Sequence, residues 1–167
     1  YQVLGRDIGG ASTLTMQLSK QNYTSTESRG FEGIKRKFTD LYISLFKIEK
    51  ENTKEQIMEF YVNTYWLGSN SYGVEQISKT YFGKSAKDLN LAEASLIVGM
   101  FQNPSVYNPY NNPNNATKRR STVLKLMVKH GYITKEEQEA AEAITIPSML
   151  VKHEETANNE MQAFLDY

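Results

Sequence analysis

The sequence predicts a mainly α-helical domain. Apolar residues recur every three or four positions along most of the chain, which places them on one face of a helix. At three places a hydroxyl or amide residue stands three positions before a glutamate or glutamine, the signature of a capped helix start. These pairs are Thr53 with Gln56, Asn90 with Glu93, and Thr134 with Glu137. No segment alternates apolar and polar residues in the way a half-buried strand requires.

The first half of the chain is expected to form three helices. The first runs from its N-cap, Ser12, to about Gln21, and a polar loop follows over residues 22–30. The second has an apolar residue at every third or fourth position, which predicts a continuous buried stripe. The stripe comprises Ile34, Phe38, Leu41, Leu45 and Ile48. The third begins after Thr53 and is broken by the glycine and polar residues of 68–71.

The second half is also expected to be helical. One helix runs from about Gly73 to near Gly83, and a nearly all-apolar helix from Asn90 to Met100 is expected at the buried centre. Three prolines mark an irregular loop over 104–113, and two further helices follow. From Ile144 the periodicity fades. We therefore assign residues 1–146 to one domain and 147–167 to an exit segment that leads toward a further domain.

Composition narrows the class of protein. The 167 residues carry a formal net charge of zero, so any anion site must be local, and bulk charge does not indicate a nucleic-acid binder. The absence of cysteine excludes disulfides and thiolate metal sites. No run approaches the roughly 18 apolar residues that span a bilayer. Both ends read as mid-domain sequence, so we expect the chain to be a piece of a longer protein.

Two polar clusters are candidates for an anion site. Thr13, Gln17 and Lys20 follow one another at helical spacing near a helix N-terminus, where free amides attract phosphate or sugar groups. Arg36 and Lys37 stand one turn before Asp40 and place two cations beside a carboxylate. Each cluster taken alone is more typical of a solvated surface with ordinary ion pairs than of a binding site.

The remaining charged residues give weaker indications. A run of acidic residues, comprising Glu49, Glu51, Glu55 and Glu59, is typical of a solvated helix face. The two histidines lack partners at metal-ligand spacing, so no metal site is predicted.

An ordered series of motifs resembles the glycosyltransferase domain of class A penicillin-binding proteins and their monofunctional relatives. Residues 10–20 are similar to the family's G-G-S-T-I-T-Q-Q-L-x-K motif, and Arg36-Lys37-x-x-Asp40 is similar to its R-K-x-x-E motif. The later segments follow the family's fourth and fifth motifs in order. They are residues 57–63, Gly68, and residues 73–75, 81–84, 91–96, 102–104, 107–109, 112–113 and 119–120.

The resemblance implies a lysozyme-like helical fold, incomplete at the N-terminus, that acts at the outer face of the bacterial cytoplasmic membrane. The implied reaction polymerises lipid II into β-1,4 glycan strands and releases undecaprenyl pyrophosphate. Lys20, Arg36 and Lys37 would stabilise the leaving pyrophosphate, and Asp40 would be the family's second acidic residue. Ser12, Thr13, Thr15 and Gln17 would line the groove. Partners would be lipid II, the glycan strand, the membrane and cell-wall or division proteins, with no nucleic acid.

The chain departs from the family pattern at several points. The family's first motif, which carries its principal glutamate, is expected upstream of Tyr1, so the printed residues alone should be inactive. Asp40 replaces a glutamate, and a misplacement near 1 Å costs on the order of a hundredfold in rate if nothing compensates. Met16 stands where the family usually has glutamine. Ile48-Glu49 follows Arg36 one residue later than the family spacing.

Two alternative functions are open at this point. One is a non-catalytic domain that binds lipid-linked glycan or serves as a scaffold. The other is a lysozyme-like hydrolase, which requires two carboxylates roughly 5–9.5 Å apart across the bond. No cofactor is required for the implied transfer, although a divalent cation at the pyrophosphate is compatible with it.

Overall fold

The protein is mainly α-helical, as the sequence predicts. A computed structural model describes residues 2–3, 6–7, 13–24, 30–69 and 71–151. Contacts divide the chain into two compact units, Tyr1–Thr64 and Tyr65–Tyr167. None of the described helices is long and apolar enough to cross a membrane.

The first unit consists of short helices and one small hairpin. Strands β1 (Gln2–Val3) and β2 (Arg6–Asp7) pair antiparallel. The helices are α1 (Leu14–Asn22), α2 (Gly30–Ile43), a π-helical turn (Ser44–Ile48), α3 (Glu49–Glu51) and α4 (Lys54–Thr64). Helix α2, the π turn and α3 follow one another without a break.

Local capping explains where two of these helices begin. The Thr13 hydroxyl accepts a hydrogen bond from Met16 N–H at 3.2 Å and caps α1. The expected cap, Ser12, lies outside the described residues, and the helix begins one position later than that cap would place it. The predicted capping box before α4 is present, since Thr53 and Gln56 each bond the other's backbone N–H at 2.9 and 3.3 Å.

The expected buried stripe of the second helix is wrong for four of its five members. Ile34, Phe38, Leu41 and Leu45 are exposed, Phe38 by 69%. Ile48 is buried. Two polar residues, Asp40 and Ser44, are also buried, on the side of the helix away from the exposed apolar residues. Periodicity identified an apolar face correctly, but the hydrogen-bonded polar face of α2 is the one that packs.

The second unit surrounds one central helix. Its helices are α5 (Gly73–Phe82), a 3₁₀ turn (Ala86–Asp88), α6 (Leu91–Met100), α7 (Pro113–Lys129), α8 (Lys135–Ala143) and α9 (Ile146–Met149). Leu96, Ile97 and Met100 of α6 are at most 2% exposed and pack with Ile77 and Tyr81 of α5. The predicted apolar centre is confirmed for this unit.

Several polar groups inside the second unit are hydrogen-bonded. The Tyr81 hydroxyl accepts from Asn108 Nδ2 at 3.2 Å and lies 3.1 Å from Ser69 Oγ, and burial raises its pKa. Both predicted capping boxes of this unit are present. Glu93, which belongs to the capping box at the start of α6, also forms an ion pair with Lys84, whose Nζ lies 2.8 Å from its carboxylate. These bonds satisfy groups that would otherwise be costly to bury.

Packing on the second unit continues to the end of the described residues. Ile146 is buried, and Val151 N–H donates to the Tyr81 carbonyl at 2.8 Å. The domain boundary at residue 146 stays a prediction.

Two glycines provide a test of the packing around Val151. Gly83 and Gly131 both adopt left-handed φ values, +69° and +74°, so alanine at either position should cost about 1–2 kcal/mol of backbone strain. A Cβ at Gly83 would also lie 3.2 Å from Val151 Cγ2, whereas a Cβ at Gly131 meets nothing within 4 Å. We expect urea unfolding to show the larger loss of stability for Gly83→Ala. Equal losses for the two variants would contradict this packing.

Candidate functional site

The candidate site is built on α1 and α2 of the first unit. Thr15 and Ser19 lie one helical turn apart on the buried face of α1. Both face the continuous helix that begins with α2, and each bonds a carboxylate of that helix. Hydroxyl groups, rather than apolar side chains, therefore make much of this helix–helix contact.

Asp40 is the centre of the contact between these helices. It is 3% exposed, and its Oδ1 accepts hydrogen bonds from Ser19 Oγ at 3.1 Å and Thr24 Oγ1 at 2.8 Å. Its Oδ2 lies 3.6 Å from Arg36 Nε. Ser44 Oγ donates to the Asp40 carbonyl at 2.6 Å. The carboxylate is thus held by groups from α1, from the start of the loop after α1 and from its own helix.

One cavity brings together five of the predicted site residues. It has a volume of about 370 Å³ and is lined by Met16, Gln17, Lys20, Arg36, Lys37 and Asp40. The lining therefore carries three cationic side chains beside one carboxylate. This cavity is a local positive site on a chain with no net charge.

Gln17 is oriented within that cavity by a neighbouring helix. Tyr61 Oη, from α4, donates to Gln17 Oε1 at 2.9 Å. Because the amide oxygen accepts this bond, the amide N–H groups are the part of Gln17 available to an anion.

Thr13 and Thr15 line a second cavity, of about 480 Å³. The helical spacing predicted that Thr13 shares one face, and so one site, with Gln17 and Lys20. This prediction is wrong, because Thr13 lines the second cavity and the other two residues line the first. The second cavity combines hydroxyl and carboxylate groups with apolar side chains. Its lining residues are Thr13, Leu14, Thr15, Glu49, Asn52, Lys54, Ile57 and Met58. Ser12, also predicted for the groove, lies outside the described residues.

Sequence reasoning missed two contributors to these cavities. Glu49 was interpreted as part of a solvated acidic face, yet Thr15 Oγ1 donates to its carboxylate at 2.7 Å. The one-residue offset from the family spacing was the available signal. Tyr61, which orients Gln17, carried no signal because it reads as an ordinary apolar position of α4. All four acidic residues of that run, Glu49, Glu51, Glu55 and Glu59, are exposed as predicted, so what was missed at Glu49 is its bond to Thr15.

Comparisons with known proteins give a consistent family. The transglycosylase family matches over residues 2–128. Penicillin-binding protein 1A of Pseudomonas aeruginosa is 43% identical over 132 residues, which are 79% of this chain and 16% of that protein. Penicillin-binding protein 1A of Clostridium botulinum is 45% identical over 139 residues, which are 80% of this chain and 16% of that protein.

A solved structure shows the same relationship. The crystal structure of penicillin-binding protein 1A from Haemophilus influenzae matches with a TM-score of 0.57 and 40% identity, over 64% of this chain and 16% of that chain. This chain therefore spans less than a fifth of the length of these relatives. The matches confirm the family that the motifs predicted and its class of glycosyltransferase.

The buried Asp40 carboxylate should be required for the stability of the first unit. Asp40→Ala would leave the Ser19 and Thr24 hydroxyls and the Arg36 guanidinium without this acceptor, a change that typically costs about 3–5 kcal/mol. Hydrogen exchange at the α1 and α2 amides measures this loss. The control is Glu51→Ala, which removes an exposed carboxylate at the C-terminal end of the same continuous helix. Equal protection in the two variants would contradict the central position of Asp40.

Proposed function

Because this chain belongs to the transglycosylase family, we propose that it polymerises lipid II into β-1,4 glycan strands in bacterial cell-wall synthesis. The growing strand is the donor, the 4-hydroxyl of lipid II attacks its anomeric carbon with inversion, and undecaprenyl pyrophosphate leaves. The observation that carries this proposal is the cavity in which Lys20, Arg36 and Lys37 converge beside Asp40.

The charge of that cavity suits the proposed leaving group. Negative charge develops on the pyrophosphate as the glycosidic bond breaks, and fixed cations stabilise it without having to reorganise. A guanidinium offers a planar pair of N–H donors to phosphate oxygens, and an ammonium offers a compact point charge. Lys20 comes from α1 and the other two cations from α2, so a bound pyrophosphate would be held between two helices that Asp40 joins.

Asp40 is proposed to act on the cations rather than on the acceptor hydroxyl. A general base must come within hydrogen-bond reach of the proton it removes. Asp40 is buried, with one oxygen occupied by two hydroxyl donors and the other facing Arg36. In this position it orients Arg36 toward the pyrophosphate. The aspartate is compatible with that role because Ser19 and Thr24 reach the shorter side chain.

No cofactor is needed for the proposed transfer. Magnesium is commonly held by substrate phosphates together with one or two carboxylates and water. A divalent cation that takes part would therefore arrive with the pyrophosphate, since both oxygens of Asp40 already face other groups.

The exposed apolar face of α2 supports a location at the outer face of the cytoplasmic membrane. It lies opposite Asp40 and comprises Phe31, Ile34, Phe38, Leu41, Tyr42, Leu45 and Phe46. Contiguous apolar surface of this kind marks an interaction site. We propose that a lipid bilayer covers it, because the substrate is anchored in one and because Arg36 and Lys37 of the same helix lie in the cavity on another side. Cell-wall and division proteins are proposed as further partners.

Lys20→Ala tests the pyrophosphate site. In the full-length protein it should lower kcat/KM for lipid II polymerisation by on the order of a hundredfold, since one fixed charge at the developing anion is lost. Lys50→Ala removes an exposed lysine from α3 and should leave the rate unchanged. Product gels of glycan strands measure both variants.

The same assay separates the alternative functions. Lipid II binding without polymer from the intact protein would favour the non-catalytic binding domain, and shortened sacculus fragments would favour the hydrolase. An unchanged rate in Lys20→Ala would remove Lys20 from the site.

Serine at Phe31 and Phe38 together tests the membrane face. These residues are 79% and 69% exposed, so the change should not disturb the core. We expect KM to rise at least about tenfold for lipid II in vesicles, because apolar burial in the bilayer is lost. KM for a water-soluble, short-chain lipid II should stay the same. Tyr132→Ser, at an equally exposed aromatic of the second unit, is the control. Equal effects on both substrates would refute bilayer contact.

A further inference from the structure

Glu49 stands at an unusual point of the long helix. The π-helical turn Ser44–Ile48 immediately precedes it, and the Glu49 N–H donates to the Ser44 carbonyl, five residues back. A π turn contains one residue more than an α turn over the same rise. The turn therefore accommodates the one extra residue that separates Arg36 from Ile48-Glu49, compared with the spacing of the family motif.

The turn decides which side of the helix Glu49 faces. At 3.6 residues per turn, nine α-helical steps from Asp40 would place Glu49 about 180° around the axis, on the side away from α1. With one residue absorbed by the π turn, the same segment makes eight effective steps, and the angle falls to about 80°. Asp40 and Glu49 consequently both reach α1, where they bond Ser19 and Thr15.

The Thr15–Glu49 bond sets the direction of a chain of hydroxyl groups. Thr15 has one hydroxyl proton, and it donates that proton to Glu49 at 2.7 Å. The 2.8 Å contact between Thr13 and Thr15 must then be donated by Thr13. The Thr13 oxygen also accepts the Met16 N–H. Its proton is thus committed, and what it offers to a ligand is its remaining lone pair.

We propose that Glu49 is a positioning residue that makes the second cavity an acceptor site for carbohydrate. The inference rests on the proposed function. The lining of the cavity presents the Thr13 lone pair, which suits the hydroxyl and amide N–H donors of an N-acetylated sugar. Lys54 is the one cation in this lining and stands with the Glu49 carboxylate, whereas the first cavity has three cations beside Asp40 and suits a phosphate better. The two cavities therefore divide the substrate, with pyrophosphate in one and sugar in the other.

A double-mutant cycle on Thr15 and Glu49 in the full-length protein tests this proposal. Glu49→Ala and Thr15→Val should each raise KM for lipid II about tenfold with little change in kcat, the size of one lost polar contact. The double variant should lose no more than either single variant, because both changes break the same chain. Glu51→Gln is the matched control. A fall in kcat with unchanged KM, or additive losses, would overturn the proposal.

Direct binding keeps this test separate from the proposed function. If the wild-type protein formed no polymer, the dissociation constant for lipid II in detergent micelles would replace KM. A rise of about tenfold in Glu49→Ala would still support the proposal, and an unchanged value would overturn it.

A deletion tests the π turn itself. Removing Lys47 should convert the π turn to an α turn while Glu49 keeps its side of the helix, so KM should match that of Lys47→Ala. Inserting an alanine after Lys47 should rotate Glu49 by about a further 100° and reproduce the KM of Glu49→Ala. The proposal fails if the deletion raises KM as much as the insertion does.

Discussion

The buried carboxylate of Asp40 is the interaction on which the first unit depends. A charge that is 3% exposed persists only when it is well paired, and here two hydroxyls bond one carboxylate oxygen while the Arg36 guanidinium lies 3.6 Å from the other. Satisfying it requires α1, the start of the loop after α1 and the later turns of α2 to meet at one point. The same requirement places Lys20, Arg36 and Lys37 around a common cavity.

This polar anchoring has a consequence on the other side of α2. A helix that packs through Asp40 and Ser44 cannot also bury the apolar residues about 180° away. Phe31 and Phe38 are therefore exposed, and they are available to the bilayer that holds the proposed substrate. The π turn places a second carboxylate, that of Glu49, on the side of the helix that faces α1, where Thr15 donates to it. The proposed substrate cavities and the proposed membrane face thus lie on different sides of one continuous helix.

Prediction from sequence succeeded where the governing interactions are local. All three capping boxes lie where the spacing places them, because each involves residues only three positions apart. Most of the largely apolar α6 is buried, because nearly every side of it carries apolar residues. Prediction failed on α2, where the choice of buried face depends on Ser19 and Thr24, which are distant in sequence. The role of Glu49 was not predicted for the same reason, because its hydrogen-bond partner Thr15 lies 34 positions away in the sequence.

The sequence by itself determined the helical content, the capped starts, the family and five residues that meet in one cavity. Those features follow from short-range spacing and from motifs that stand in order along the chain. Only the tertiary structure decided that the acidic residue of the cluster is a buried anchor. It also divided the predicted groove into two cavities and turned Glu49 toward Thr15. These outcomes depend on which donors, distant in the sequence, reach a buried acceptor. The spacing of residues along one helix does not predict such long-range contacts.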